Sequence, residues 1–278
     1  MGVAVALWSS KLRLGTLLVS VALGTTAVCG AAVPTAASTP DYSKADGTFA
    51  GSQIVANEGK GDVPRFTADA GALGHDVSGH QGDVHWPGAW GAGGRFVYVK
   101  ATEGTGYTNP RFTQQYNGSY HIGMIRGAYH FARPDVSSGR TQAEYFLAHG
   151  GGWSADGKTL PGALDVEYNP YGDACYGLDA AKMGDWIKDF SETYRARTGR
   201  YPVIYTSTNW WNRCTGNNAG FAQNNPLWIA RYQPTVGPLP AGWTRQFIWQ
   251  FADSGALPGD QNLFNGPLDQ VRNFASNN

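Results

Sequence analysis

From residue 72 onward, short apolar runs alternate with longer stretches of helical period. The runs predict strands at 74–78, 95–101, 125–131, 164–168, 202–206, 227–232 and 246–251. Helices fit between several of them, over 111–121, 139–148 and 179–198. The last carries Met183, Trp186, Ile187, Phe190 and Tyr194 at helical spacing, and Gly199 is placed to stop it. Strand and helix in alternation predict an α/β fold with parallel strands, and the length suits a closed barrel. In such barrels the reacting groups stand at the C-terminal ends of strands.

One predicted strand end carries acids. In Leu160-Pro161-Gly162-Ala163-Leu164-Asp165-Val166-Glu167-Tyr168-Asn169-Pro170, a two-residue period puts Asp165 and Glu167 on one side and Leu164, Val166 and Tyr168 on the other. Acidic residues are depleted in strands, and neighbouring like charges raise each other's proton affinity. One protonated and one ionised carboxyl a few ångströms apart is what glycosidic bond cleavage requires. The pair alone is explained at least as well by a solvated strand end whose acids pair with Lys or Arg.

The first residues do not belong to the fold. Lys11 and Arg13 precede the apolar stretch 14–24, and small residues follow up to Ser38, the pattern of a secretory signal peptide over 1–38. It is too short for a membrane span. Residues 39–71 are polar, Gly- and Asp-rich and without sustained apolar period, as in a linker or loosely packed N-terminal arm. Residues 72–278 make one domain, and no internal repeat is found.

Composition narrows the chemistry. The chain has 21 basic and 21 acidic residues, and losing Lys11 and Arg13 leaves a slight acidic excess. Nothing there neutralises a phosphate backbone, so nucleic acid is not expected as a partner. Ten Trp and 13% aromatic residues supply rings on which sugar faces could stack. Removal of the leader also removes Cys29, leaving Cys175 and Cys214, an even number in a secreted chain, for which a disulfide is the expected state.

Other chemistries find no support. His75, His80 and His85 are spaced five apart, which sends neighbours to opposite strand faces, so no metal site and no cofactor is expected. No Gly-x-Ser-x-Gly elbow occurs, and Glu58-Gly59-Lys60-Gly61 lacks the Ser or Thr of a phosphate loop.

Five motifs occur in order: Gly74-His75-Asp76-Val77-Ser78 with Gln81-Gly82 and Trp86; Tyr98-Val99-Lys100-Ala101-Thr102-Glu103-Gly104; Gly127-Ala128-Tyr129-His130-Phe131; Leu164-Asp165-Val166-Glu167; and Gly259-Asp260-Gln261-Asn262-Leu263-Phe264-Asn265-Gly266. With them the chain resembles the glycoside hydrolase family 25 lysozymes, the Chalaropsis-type muramidases, over nearly all of 72–275. The resemblance implies a flattened (β/α) barrel with fewer helices than strands. It also implies cleavage between N-acetylmuramic acid and N-acetylglucosamine in peptidoglycan, with 6-O-acetylated muramic acid accepted by some members. Glu167 matches the family's general acid, Asp165 the acid two residues before it, Asp76 the acid of the first strand and Asp260 the acid near the last. Lys100, Tyr107, Tyr129 and Tyr205 match positions lining the sugar groove. Gly79-His80 departs from the family's usual His-Trp after the first strand. A secreted monomer acting on glycan strands, bound to no membrane, is expected. The alternatives are a non-catalytic cell-wall glycan-binding protein, in which the acids would be lost, and a chitinase-like hydrolase, whose longer acidic series is absent because Leu160 and Ala163 stand at its earlier positions.

Overall fold

The computed structural model describes residues 39–64, 66 and 70–277. The expected signal peptide lies outside them. The strands are β1 (Leu73–Val77), β2 (Phe96–Glu103), β3 (Tyr107–Thr108), β4 (Ile125–Phe131), β5 (Ala163–Asp165), β6 (Val203–Thr206), β7 (Leu227–Ala230), β8 (Ile248–Ala252) and β9 (Asp260–Phe264). Their order in the sheet is β1-β9-β8-β7-β6-β5-β4-β2-β3, and a further pairing of β1 with β2 closes eight of them into a barrel, with β3 appended at the edge. Among the described residues seven α-helices accompany the nine strands: α1 (Ile54–Glu58), α2 (Trp86–Gly91), α3 (Phe112–His121), α4 (Gly139–Ala148), α5 (Ala180–Thr198), α6 (Thr208–Thr215) and α7 (Leu268–Ser276).

Helices read from periodicity form for identifiable reasons. Asp179 caps α5 by accepting the N–H of Lys182 at 2.9 Å, and Gly199, at φ 78°, ends it in the left-handed region. Met183, Ile187, Phe190 and Tyr194 are fully buried along its inner stripe. Cys175, in the loop after β5, is disulfide-bonded to Cys214 on α6.

Parallel pairing runs from β1 through β2, β4, β5, β6 and β7 to β8, whereas β9 is antiparallel to both neighbours. That reversal decides where the site lies. The beginning of β9 meets the C-terminal ends of the parallel strands, and Asp260 pairs in register with Asp76. Beneath this end the interior is aromatic: Trp228 stacks on Tyr98 at 4.8 Å and meets Tyr205 edge-on at 4.8 Å, and its Nε1–H donates to Asn262 at 2.7 Å. These rings form a floor that keeps water from below.

The stretch expected to be a linker or loose arm packs closely. Residues 40–58 turn back across the C-terminal end of the barrel. Ala50 and Ile54 are fully buried, and Thr48 and Ala45 nearly so.

Candidate active site

Strand β5 ends at Asp165, three residues before the expected end, and Val166 still donates its N–H to Tyr205 O at 3.0 Å. Glu167 therefore leaves the strand while remaining on the open side of the barrel. Asp76 comes up from β1 and Asp260 from the start of β9, so four carboxylates meet at one barrel end, each between 0% and 2% exposed.

Their partners differ, and so do the roles they can take. Asp76 Oδ2 accepts hydrogen bonds from Gln250 Nε2 at 2.8 Å and Asn262 Nδ2 at 2.7 Å. Asp260 accepts one from the Tyr232 hydroxyl at 3.1 Å. Tyr205 and Tyr232 both donate to Gln250 Oε1, at 2.7 and 2.8 Å, so a single amide orients two hydroxyls and one carboxylate. Among the described residues, neither oxygen of Asp165 has a hydrogen-bond partner. Among the described residues, Glu167 accepts only backbone N–H groups, from Gly51 at 2.6 Å and Gln53 at 3.4 Å.

Burial dominates the electrostatics. It pushes the Glu167 carboxyl up to about 8 and that of Asp76 up to about 7, against the opposing effect of the N–H donors on each. Asp165 is raised by burial and then by the charge of Glu167; Asp260 is raised by burial and then by Asp76, its register partner. A carboxyl at about 8 is protonated at neutral pH and can donate a proton.

The residues expected to line the groove all lie here. Lys100, fully buried, donates from Nζ to Ala45 O, Thr48 O, Thr48 Oγ1 and Glu103 Oε2, the last at 2.6 Å. The Tyr107 hydroxyl donates to Asp46 at 2.8 Å, and the Tyr129 hydroxyl accepts the N–H of Ala50 at 3.3 Å. Tyr205 serves the Gln250 network instead. Sequence reading missed Gln250, Tyr232, Asn262 and Glu103 as members of the site. Two of them carried a signal: Gln250 interrupts the apolar run Phe247-Ile248-Trp249-Gln250-Phe251, and Asn262 follows Asp260 by two residues, on the same strand face.

Four buried carboxyls gathered at one end of a barrel, all raised by burial, suit glycosidic bond cleavage. The profile of the Glycosyl hydrolases family 25 matches residues 75–260, and the chain belongs to that family. It is 51% identical over 207 residues to the N,O-diacetylmuramidase of Chalaropsis sp., covering 73% of this chain and 98% of that enzyme. With Lysozyme M1 of Streptomyces globisporus it shares 45% over 235 residues, 82% of this chain and 80% of that one. The solved muramidase from Acremonium alcalophilum is 52% identical and superposes with a TM-score of 0.73, over 74% of this chain and 99% of that one.

Proposed function

We propose that the protein is a secreted, monomeric lysozyme that hydrolyses the β-1,4 bond between N-acetylmuramic acid and N-acetylglucosamine in peptidoglycan, 6-O-acetylated muramic acid included. The observation that carries the reading is the pair Asp165 and Glu167 at the end of β5. Names of the relatives support the substrate, that of the Chalaropsis enzyme the O-acetylated form. A single chain supplies all four carboxyls, so no partner copy is needed. No helix among the described residues is long and apolar enough to cross a membrane.

Glu167, kept protonated when covered, as a bound glycan would cover it, gives its proton to the glycosidic oxygen as the bond lengthens. Asp165, with both oxygens free of protein partners, accepts the N–H of the substrate's 2-acetamido group, or faces the positive charge developing at the ring once ionised. Asp76 and Asp260, fixed by Gln250, Asn262 and Tyr232, orient the glycan, and charge on Asp76 adds to the burial that raises Glu167.

Digestion of purified peptidoglycan, followed by reduction and identification of the new sugar ends, tests this. Muramic acid ends are expected. Glucosamine ends would instead indicate a chitinase-like or glucosaminidase specificity, and binding without new ends a wall-binding protein.

A further inference from the structure

A polymer cannot reach carboxyls that are 0–2% exposed, and what covers them is the chain's own arm. Ala50 O accepts a hydrogen bond from Gln250 Nε2 at 2.9 Å, while the next N–H, of Gly51, donates to Glu167. A peptide unit thus presents its N–H and C=O to the residues that would meet the acetamido group of an amino sugar, which has the same donor and acceptor. The fit is close. Gly51 lies at φ +93°, and a Cβ there would stand 2.1 Å from the Tyr232 hydroxyl and 2.6 Å from Gln250 Oε1, so only glycine is accommodated.

The grip extends to both sides. Tyr42 packs so near the β2–β3 turn that a Cβ on Gly106 would meet its ring at 2.2 Å, and its hydroxyl accepts the N–H of Thr105 at 3.0 Å. Farther along, Glu58 accepts hydrogen bonds from the hydroxyls of Tyr168, at 3.0 Å, and Ser207. Immediately after this helix the chain changes character: residues 59–63 are exposed, Val63 at 58%.

The arm lies ahead of the residues that match the family. The family match starts at residue 75, and the Acremonium match leaves unpaired a stretch of this chain as long as residues 1–71. The Streptomyces match is longer than residues 72–278 can supply, so it reaches upstream of them.

We propose that residues 40–58 are a built-in inhibitor occupying the catalytic groove, and that hydrolysis of a peptide bond within the exposed segment 59–63 by an external endopeptidase activates the enzyme. Water adds its hydroxyl to the cleaved carbonyl carbon and its proton to the departing amine, so no further reactant is needed. While attached, the arm competes at the high effective concentration of a tethered ligand; once cut, it dissociates on dilution and glycan displaces it. The proposal rests on the muramidase reading for its substrate, but the arm's position does not.

The test uses the full chain carrying the recognition sequence of a site-specific protease between Gly61 and Asp62. Uncut and cut forms are compared for release of sugar ends from soluble peptidoglycan and for retention on insoluble peptidoglycan. A closed fraction raises the apparent KM in proportion, so cutting is expected to lower KM by about tenfold or more with kcat little changed. A synthetic peptide of residues 40–58 added to the cut chain restores the high KM competitively. Gly51→Val, whose side chain has no room against Tyr232 and Gln250 while the arm is seated, and Tyr42→Ala, which removes the ring packed on the β2–β3 turn, raise activity and retention without any cut. Equal KM and equal retention of cut, uncut and Gly51→Val chains would overturn the proposal. Should no form release sugar ends, the hydrolase reading falls, and retention by the cut form alone still upholds the inhibitor.

Discussion

Gly51 and Glu167 stand 116 residues apart in the chain, yet the backbone N–H of the first donates to the carboxylate of the second at 2.6 Å. The acid assigned to proton donation is thereby occupied by peptide. Groove residues and arm explain each other: Lys100, Tyr107, Tyr129 and Gln250 satisfy the arm's backbone and side chains with groups suited to a sugar.

Gln250 joins Asp76, Tyr205, Tyr232 and Ala50 through one amide. Replacing it by Leu leaves the Tyr205 hydroxyl without its acceptor, leaves Tyr232 with Asp260 alone, and removes one of the two donors to Asp76. A stability loss of about 1–3 kcal/mol is expected, with a fall in kcat, read from denaturant unfolding and from steady-state rates. An unchanged kcat would detach Asp76 from turnover.

Lys100 and Glu103 form a fully buried ion pair at 2.6 Å. Lys100→Met removes the nearer of two cations from Glu103, leaving Arg133 at 3.8 Å and the hydroxyls of Tyr171 and Thr48, and is expected to cost somewhat less than the roughly 3–5 kcal/mol of a fully stranded charge. Lys100→Met with Glu103→Gln should be more stable than the single variant. If the double variant were less stable, stranded charge would not be the cause.

Stability should fall as pH rises from 6.5 to 8. Glu167 and Asp76 are raised to about 8 and about 7, so the folded state holds protons that the unfolded chain has already released, and this contribution is lost as pH climbs through those values. The buried imidazoles of His75 and His130, lowered to about 4 and about 3 by burial, act in the opposite sense, favouring the fold above 6.5 and losing that advantage on acidification. Above 6.5 the carboxyls therefore set the slope. The melting midpoint should drop across this interval, and less so in Glu167→Gln; identical slopes would contradict the assignment.

The disulfide between Cys175 and Cys214 ties the loop following Glu167 to α6. Cys175→Ser is expected to lose about 4 kcal/mol on the chain-entropy account. Thermal unfolding measures it, and the native protein should show no free thiol at these two positions.

Much of the barrel was legible because its strands are apolar on both faces and its long helices keep a clean period. Helix α4 was read to its exact bounds, and α5 to within a residue, from Asp179 and Gly199. Strand β9 was not read as a strand. Its Asp260 and Asn262 face the polar site and Gln261 bonds to Leu257 and Gly259, so the site itself erased the apolar signal. Helix α2 was hidden by Pro87 and two glycines. The arm looked like a linker for a related reason: it is held by hydrogen bonds to a polar groove, and its glycine at 51 serves fit, not flexibility. Asp165 and Glu167 stood out by their spacing in a strand, and Asp76 and Asp260 by ordered motifs, and the structure brings the four to one barrel end, whereas Gln250 and Tyr232 orient other groups and left little trace.

The most direct measurement is the rate of Glu167→Gln on two substrates, with the arm cut. On peptidoglycan, whose leaving sugar needs a proton, a loss of about 10²–10⁴ is predicted. On an aryl glycoside of the same sugar, whose phenolate departs unprotonated, the loss should be far smaller. Equal losses on both, or none on peptidoglycan, would contradict the assignment of Glu167 as the acid.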